Sequence, residues 1–333
     1  MADVKYDVLG IGNALFDVLV RTDEAFLAKH GMTKGSMSLI DEARAAAIYK
    51  DMGPATEVSG GSAANTIVGI SSLGARAAYV GKVKDDQIGK LYVHDIRAAG
   101  VAFDTPAAKD GAATGCSYIL VTADGERTMN TYLGAAQDLS PADIDPAEIA
   151  SAAIVYLEGY LWDPKNAKDA FVKAARIAHD SKRKVALTLS DSFCVDRYRD
   201  EFLALMRNGT VDIVFANESE LHSLYTTSDF DTALKQLRND VNLGVVTRSE
   251  KGCVVVTPTD AVAAPASPIK QLVDTTGAGD LFAAGFLYGL ARNLAHKQCG
   301  ELGALAAAEV IQHIGARPQV SLKELAQQRG LTA

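Results

Sequence analysis

From residue 141 to residue 264 short apolar runs alternate with longer amphipathic ones, and this alternation most constrains what the chain can fold into. Ala153 to Leu157, Lys184 to Leu189, Val211 to Phe215 and Leu243 to Thr247 have the length and composition of buried strands. Between them Asn166 to His179, Asp200 to Met206, Glu218 to Tyr225 and Asp231 to Arg238 carry the helical period. Such alternation implies an α/β fold: a doubly wound, mainly parallel sheet between two helical layers, with ligands beyond the carboxyl ends of its strands. Gly252 to Thr257 and Ala261 to Ala264 read as a closing antiparallel hairpin, and Ala295 to His313 as a long helix. Upstream, Tyr6 to Gly12 and Arg76 to Val83 supply further strands, and Gly89 to Ala99 a helix that stops at Gly100. Gly10 and Gly12 lack the third glycine of a dinucleotide fingerprint, because Leu15 stands there and an extended segment follows.

The texture differs in two places. Thr114 to Thr122 and Arg127 to Leu133 are β-rich runs joined by Ala123-Asp124-Gly125-Glu126, a hairpin signal with no helical period nearby. Asn13 to Arg21 and Met37 to Ile40 are also extended, on either side of a short helical run at Glu24 to His30. These segments are expected to form a small β lid from residues 13–40 and 106–133, with 1–12, 41–105 and 134–333 making the large body.

The charge balance, 33 Lys and Arg against 41 Asp and Glu for a net −8, offers no basic block to nucleic acid or to a membrane surface. Leu281 to Ala291 is too short to span a bilayer. The four cysteines are far apart, form no CxxC pair and sit among apolar neighbours, which fits buried thiols in a reduced, cytoplasmic protein.

Polar clusters fall where strands should end. Asp274-Thr275-Thr276-Gly277-Ala278-Gly279-Asp280 runs straight into the apolar helix Leu281 to Ala291. Its glycines let an anion approach the backbone at a helix N-terminus, where the dipole favours negative charge; plain capping of that helix by Asp280 is the other reading. Ser59-Gly60-Gly61-Ser62-Ala63-Ala64-Asn65 is a second glycine-rich strand-to-helix junction, or else a small-residue packing contact. Asn217 and Glu220 share one helix face and could hold water around Mg²⁺, or simply cap the helix. Thr247-Arg248-Ser249-Glu250-Lys251-Gly252 offers phosphate donors, or is an ordinary polar turn.

Taken in order, Asn13…Asp17, the Gly60-Gly61…Asn65 junction, Asn217xxGlu220 and DTTGAGD resemble the signatures of the ribokinase-like (PfkB) carbohydrate and nucleoside kinase family, over nearly the whole chain. The resemblance implies ATP and Mg²⁺ as co-substrate and metal, and it implies roles. Asp280 would be the general base toward an acceptor hydroxyl, with the N–H groups of Gly277, Ala278 and Gly279 as the anion hole. Asp17 would accept two ribose hydroxyls, aided by Asn13, Gly60, Gly61 and Asn65. Arg127, on the lid hairpin, would reach the transferring phosphate on closure or else face solvent. Thr247, Arg248, Ser249 and Gly252 would hold the nucleotide with Asn217, Ala307 and Val310 would flank its adenine, and Glu220 would meet Mg²⁺ through water. Asp274 and Thr276 would border a K⁺ site.

Within the family, GIGNALFD and SGGSAAN resemble the adenosine kinase branch. A nucleoside needs an apolar slot, for which Tyr160, Leu161, Trp162 and Phe193 are candidates. The expected activity is phosphorylation of the 5′-hydroxyl of adenosine by MgATP; a sugar or other nucleoside kinase, and a non-catalytic binding regulator, are the alternatives. Cys116 to Val121 is apolar on both faces, which admits a homodimer through the lid as well as a monomer.

Overall fold

The computed structural model describes residues 3–332. Fourteen strands fall into two sheets among these residues. The strands are β1 (Tyr6–Ile11), β2 (Leu15–Arg21), β3 (Met37–Leu39), β4 (Thr56–Gly60), β5 (Ala77–Val80), β6 (Val101–Ala102), β7 (Gly115–Val121) and β8 (Arg127–Tyr132), then β9 (Ala152–Glu158), β10 (Lys184–Thr188), β11 (Ile213–Asn217), β12 (Leu243–Thr247), β13 (Cys253–Val256) and β14 (Ala261–Ala264). Nine of them form one sheet in the order β14-β13-β12-β11-β10-β9-β1-β5-β6. All its pairs are parallel except those of the terminal hairpin, β12 with β13 and β13 with β14.

The period of two in these strands divides the core. Ile154 and Tyr156 point to one face with Val8, Ala186 and Phe215, under the helices Ser62–Ser72, Ala278–Ala291 and His296–Val310. Val155 and Leu157 point to the other with Leu9, Leu187 and Val214, under Lys165–Asp180, Ser192–Arg207, Glu218–Tyr225 and Phe230–Asp240. Strands buried on both faces have no reason to alternate in polarity, so the sequence shows them as continuous apolar runs. The four cysteines are free and buried. Among the described residues no helix is long and apolar enough to cross a membrane.

The second sheet has the order β3-β8-β7-β2-β4. Two expectations change here. The strand Thr56–Gly60, assigned with 41–105 to the large body, is the edge of the small sheet, antiparallel to β2 from Leu15↔Gly60 to Leu19↔Thr56. Ahead of it the helix Glu42–Asp51, capped by Asp41 on the Arg44 N–H (2.8 Å), packs against β7 and β8. The small unit therefore continues through Gly60 and does not stop at residue 40. The apolar outer face of β7 is also covered within the chain: Tyr118 lies against Tyr49 (ring centroids 6.1 Å apart), and Leu120 is buried with Val20 and Leu27. A second subunit is not needed to explain that strand.

Candidate active site

The turn from β1 into β2 carries Asn13, and a residue far along the chain holds it. Glu158, the last residue of β9, accepts the Asn13 N–H (3.3 Å), the Asn13 Nδ2 (2.8 Å) and the Ala63 N–H (2.8 Å). It is 1% exposed. Burial pushes its carboxyl up to about 7, against the pull of the Ala63 and Asn13 donors. At the neighbouring junction the backbone is close to everything. Gly61 has φ 98°, and a Cβ there would lie 2.1 Å from the Asn13 carbonyl oxygen. One on Gly60 would lie 2.1 Å from the Asp17 carboxylate, so the bare α-carbon is what lets Asp17 lie across the junction. Asp17 is buried; loss of water pushes it up to about 7, with Arg317 lowering and Asp280 raising it.

Asp280 sits in the first turn of the helix Ala278–Ala291, behind an N-cap at Gly277 with φ 73°. Its two oxygens accept from Ser62 Oγ (2.6 Å) and Asn65 Nδ2 (3.1 Å), so the two glycine-rich stretches meet on one carboxylate. Burial raises it to about 6, and Ser62, Asn65 and Arg317 act to lower it. The first-turn amides of this helix have no intrahelical acceptor. The Ala278 N–H already donates to the Thr275 carbonyl (3.2 Å), which leaves the anion hole mainly to its neighbours.

Asp274 organises the loop. Its Oδ1 accepts the Thr276 N–H (2.8 Å), the Thr276 hydroxyl (2.6 Å) and Arg127 Nε (2.7 Å), and its Oδ2 accepts the Gly315 N–H (3.0 Å). Arg127 thus reaches the transfer loop from the lid and is neither solvent-facing nor free. Four donors thus already meet the carboxylate of Asp274, which with Thr276 was expected to border a K⁺ site.

On the nucleotide side Asn217 and Glu220 form a reciprocal cap: Glu220 N–H to Asn217 Oδ1 (2.9 Å), Asn217 N–H to Glu220 Oε2 (3.0 Å) and Asn217 Nδ2 to Glu220 Oε1 (2.5 Å). Burial lifts Glu220 to about 7. Other expectations need correction. Arg248 is held by Glu218 (3.0 Å) and lies 3.7 Å over the Phe230 ring, which takes it away from phosphate. Ser249 and Gly252 form the tight turn between Thr247, which lines the cleft, and β13. Val310 is fully buried in the core, whereas Ala307 is partly buried against it. Leu161 and Trp162 are likewise core residues. Tyr160 and Phe193 do face the cleft, Phe193 with 78% of its surface exposed.

A single cleft of about 640 Å³ joins these parts. Asn13, Asp17, Gly61 and Asn65 line it from the acceptor junction, Gly277, Ala278, Gly279 and Asp280 from the transfer loop, Asn217, Glu220 and Thr247 from the strand ends, and Arg127 from the lid. Residues 41–322 match the family model described as pfkB family carbohydrate kinase. The chain belongs to that family.

Solved structures and a curated relative resemble it along nearly its full length. An adenosine kinase of Sinorhizobium meliloti is 56% identical, with 98% of this chain and 99% of that one covered at a TM-score of 0.92. A probable sugar kinase of Rhizobium etli is 51% identical, with 100% of both chains covered at 0.93. An adenosine kinase of Saccharomyces cerevisiae is 28% identical over 92% of this chain and 94% of its own. The protein is accordingly a phosphotransferase with an alcohol acceptor, a nucleoside or sugar kinase that uses ATP. Two residues that bear on such a site escaped the sequence reading: Glu158, and Arg317 with its bonds to the acceptor junction. A carboxylate closing an all-apolar strand, next to Gly159 and at the ligand edge of the sheet, was the signal for the first.

Proposed function

We propose that the chain transfers the γ-phosphoryl group of MgATP to the 5′-hydroxyl of adenosine, giving AMP and ADP. The observation that carries this is the composition of the acceptor half of the cleft: the Asp17 carboxylate lines it from the same face of the small sheet as the apolar Met37, Leu39, Ile119 and Met129, and Phe193 lines it as well. A carboxylate accepts both hydroxyls of a vicinal diol, and a purine needs the apolar wall that a free sugar does not.

The chain's own groups then have defined tasks. Asn13 and Asn65 hold the ribose beside Asp17, and the closed lid excludes water. As the acceptor oxygen bonds to the γ-phosphorus, its proton passes to Asp280 and the bond to the β-phosphate oxygen breaks, the electron pair leaving with ADP. In a loose transition state the proton moves late, so a carboxylate near 6 is sufficient, and the amides at Gly277 and Gly279 face the developing charge. Asn217, Glu220 and Thr247 bring amide, carboxylate and hydroxyl oxygens to the cleft lining, donors suited to a hydrated Mg²⁺, which would neutralise phosphate charge; Glu220 would meet it through water.

The second reading, a sugar kinase, is favoured by the sugar kinase name of the Rhizobium etli relative. An ADP-release assay over adenosine, inosine, ribose and fructose separates the two. Turnover of adenosine above the others is expected; turnover of ribose or fructose without adenosine overturns the proposal, and none with any of them favours a binding regulator.

A further inference from the structure

Three consecutive residues after the last long helix bridge the two halves of the site. The Gly315 N–H donates to Asp274 Oδ2 at 3.0 Å. Ala316 fills the space beside Gly277, where an added Cβ would come within 2.8 Å of its own. Arg317 crosses to the acceptor junction: Nε donates to the Ser59 carbonyl (3.0 Å), Nη1 to the Ala64 carbonyl (3.1 Å), and Nη2 to the Ser59 carbonyl and hydroxyl. All of these acceptors are neutral, so the guanidinium charge is directed at other groups.

We propose that Arg317 is a positioning residue for phosphoryl transfer: it fixes the Ser59–Ala64 junction against the Gly277–Asp280 loop and presents the site's balancing positive charge to Asp17 and Asp280. The inference rests on the roles given above to those two carboxylates. Around Asp17 the titratable groups are Arg317, Asp280, Tyr92 and Cys116; around Asp280 they are Arg317, Asp17, Glu158, Tyr156 and Tyr160. Arg317 itself also faces Asp95 and Tyr79. Burial holds these tyrosines and the thiol protonated, so Arg317 is the positive member of the group. Burial disfavours a negative charge on either aspartate, and the arginine favours it on both. A clamp of this kind also orients: of the two residues that hold Asp280, Ser62 lies between the two carbonyls that Arg317 fixes and Asn65 directly follows the second.

The test is the pH dependence of kcat/KM for the acceptor at saturating MgATP in wild type, R317Q and R317K, with thermal melts of each. R317Q should move the acid limb up by about one pH unit or more, since at an effective dielectric near 20 one charge shifts a carboxyl by about one unit from about 12 Å away and by about three from about 4 Å. Its kcat/KM should fall about tenfold or more at neutral pH and recover partly in alkali. R317K, which keeps the charge and loses the fork, should hold the wild-type acid limb with a raised acceptor KM. A limb that superposes on wild type in R317Q, with only a lowered Tm, overturns the proposal. Should R317Q fail to fold, R317K decides: a wild-type KM overturns the clamp. Failure of the underlying roles shows separately, as wild-type turnover in D280N.

Discussion

Replacing Glu158 by glutamine keeps its shape and removes its ability to ionise, and the structure gives both the sign and the size of the outcome. Burial lifts the carboxyl from 4.5 to about 7. A raised carboxyl pKa means that the folded chain keeps a proton which the unfolded chain releases between those values. Wild-type stability from this group is thus fully present below the window and falls as pH rises through it, whereas the glutamine variant does not titrate. From about pH 5.5 to pH 7 the wild type should lose about 2 kcal/mol relative to E158Q, at about 1.36 kcal/mol per pH unit. Below the window the variant is the weaker protein. Its amide has one acceptor oxygen, and Asn13 and Ala63 approach different oxygens of Glu158, so a buried N–H is left unpaired at about 1–3 kcal/mol. The gap between the two proteins should therefore be widest in acid and close or reverse by about pH 8. For a chain of this length 2 kcal/mol corresponds to roughly 3 °C in Tm. Melts of both proteins at half-unit intervals of pH, in one low-salt buffer, read it directly. A gap that widens toward alkaline pH would refute the account of Glu158 as a carboxylate forced into a dry, neutral-preferring site.

The remaining predictions concern the transfer itself. D280N should lower kcat by roughly 10²- to 10⁴-fold with little change in KM, the usual worth of a positioned base; steady-state kinetics with unchanged turnover removes Asp280 from that role. Asp17→Ala should abolish saturable acceptor binding while titration calorimetry still detects a non-hydrolysable ATP analogue; retained acceptor binding counts against Asp17. Gly61→Ala places a Cβ on a φ of 98° and against the Asn13 carbonyl, and should cost at least about 3 kcal/mol in denaturant melts, because neither the torsion nor the backbone neighbour can yield cheaply. An unchanged midpoint sinks that account.

What was legible in the sequence depended on whether a residue's partners were local. The strands β9 to β12 and the helices between them stood out because burial on both faces leaves an unbroken apolar run, a property of each segment alone. The transfer loop was legible because its glycines serve the turn in which they lie. Glu158 was missed, since its three donors come from 145 and 95 positions earlier, and its place at the end of an apolar strand marks the ligand edge of the sheet but not the groups it holds. Arg317 was hidden for the same reason, with acceptors 258 and 253 residues away in an irregular segment. Arg248 misled in the opposite direction: its position at a strand end is right for phosphate, but Glu218 and Phe230 on the adjoining helices claim it. Val310 failed on helical phase, being buried while Ala307, one turn earlier, is half exposed to its surroundings.

The place of β1 in the large sheet bears on how the chain comes off the ribosome. This first strand ends up in the middle, with Val8 paired to Ala77 on one side and to Ile154 on the other. The hairpin that covers the cleft has the same character, since β2 lies beside β7, Leu15 against Gly115. Both ribbons emerge early and must wait, one for its second neighbour until about half the chain has been made. Long-range parallel pairing of this kind closes slowly, and the waiting edges are apolar. Synthesis speed and holding chaperones, more than final stability, should govern the yield of this protein in a cell, and chains truncated before residue 158 should aggregate instead of forming a half-sheet.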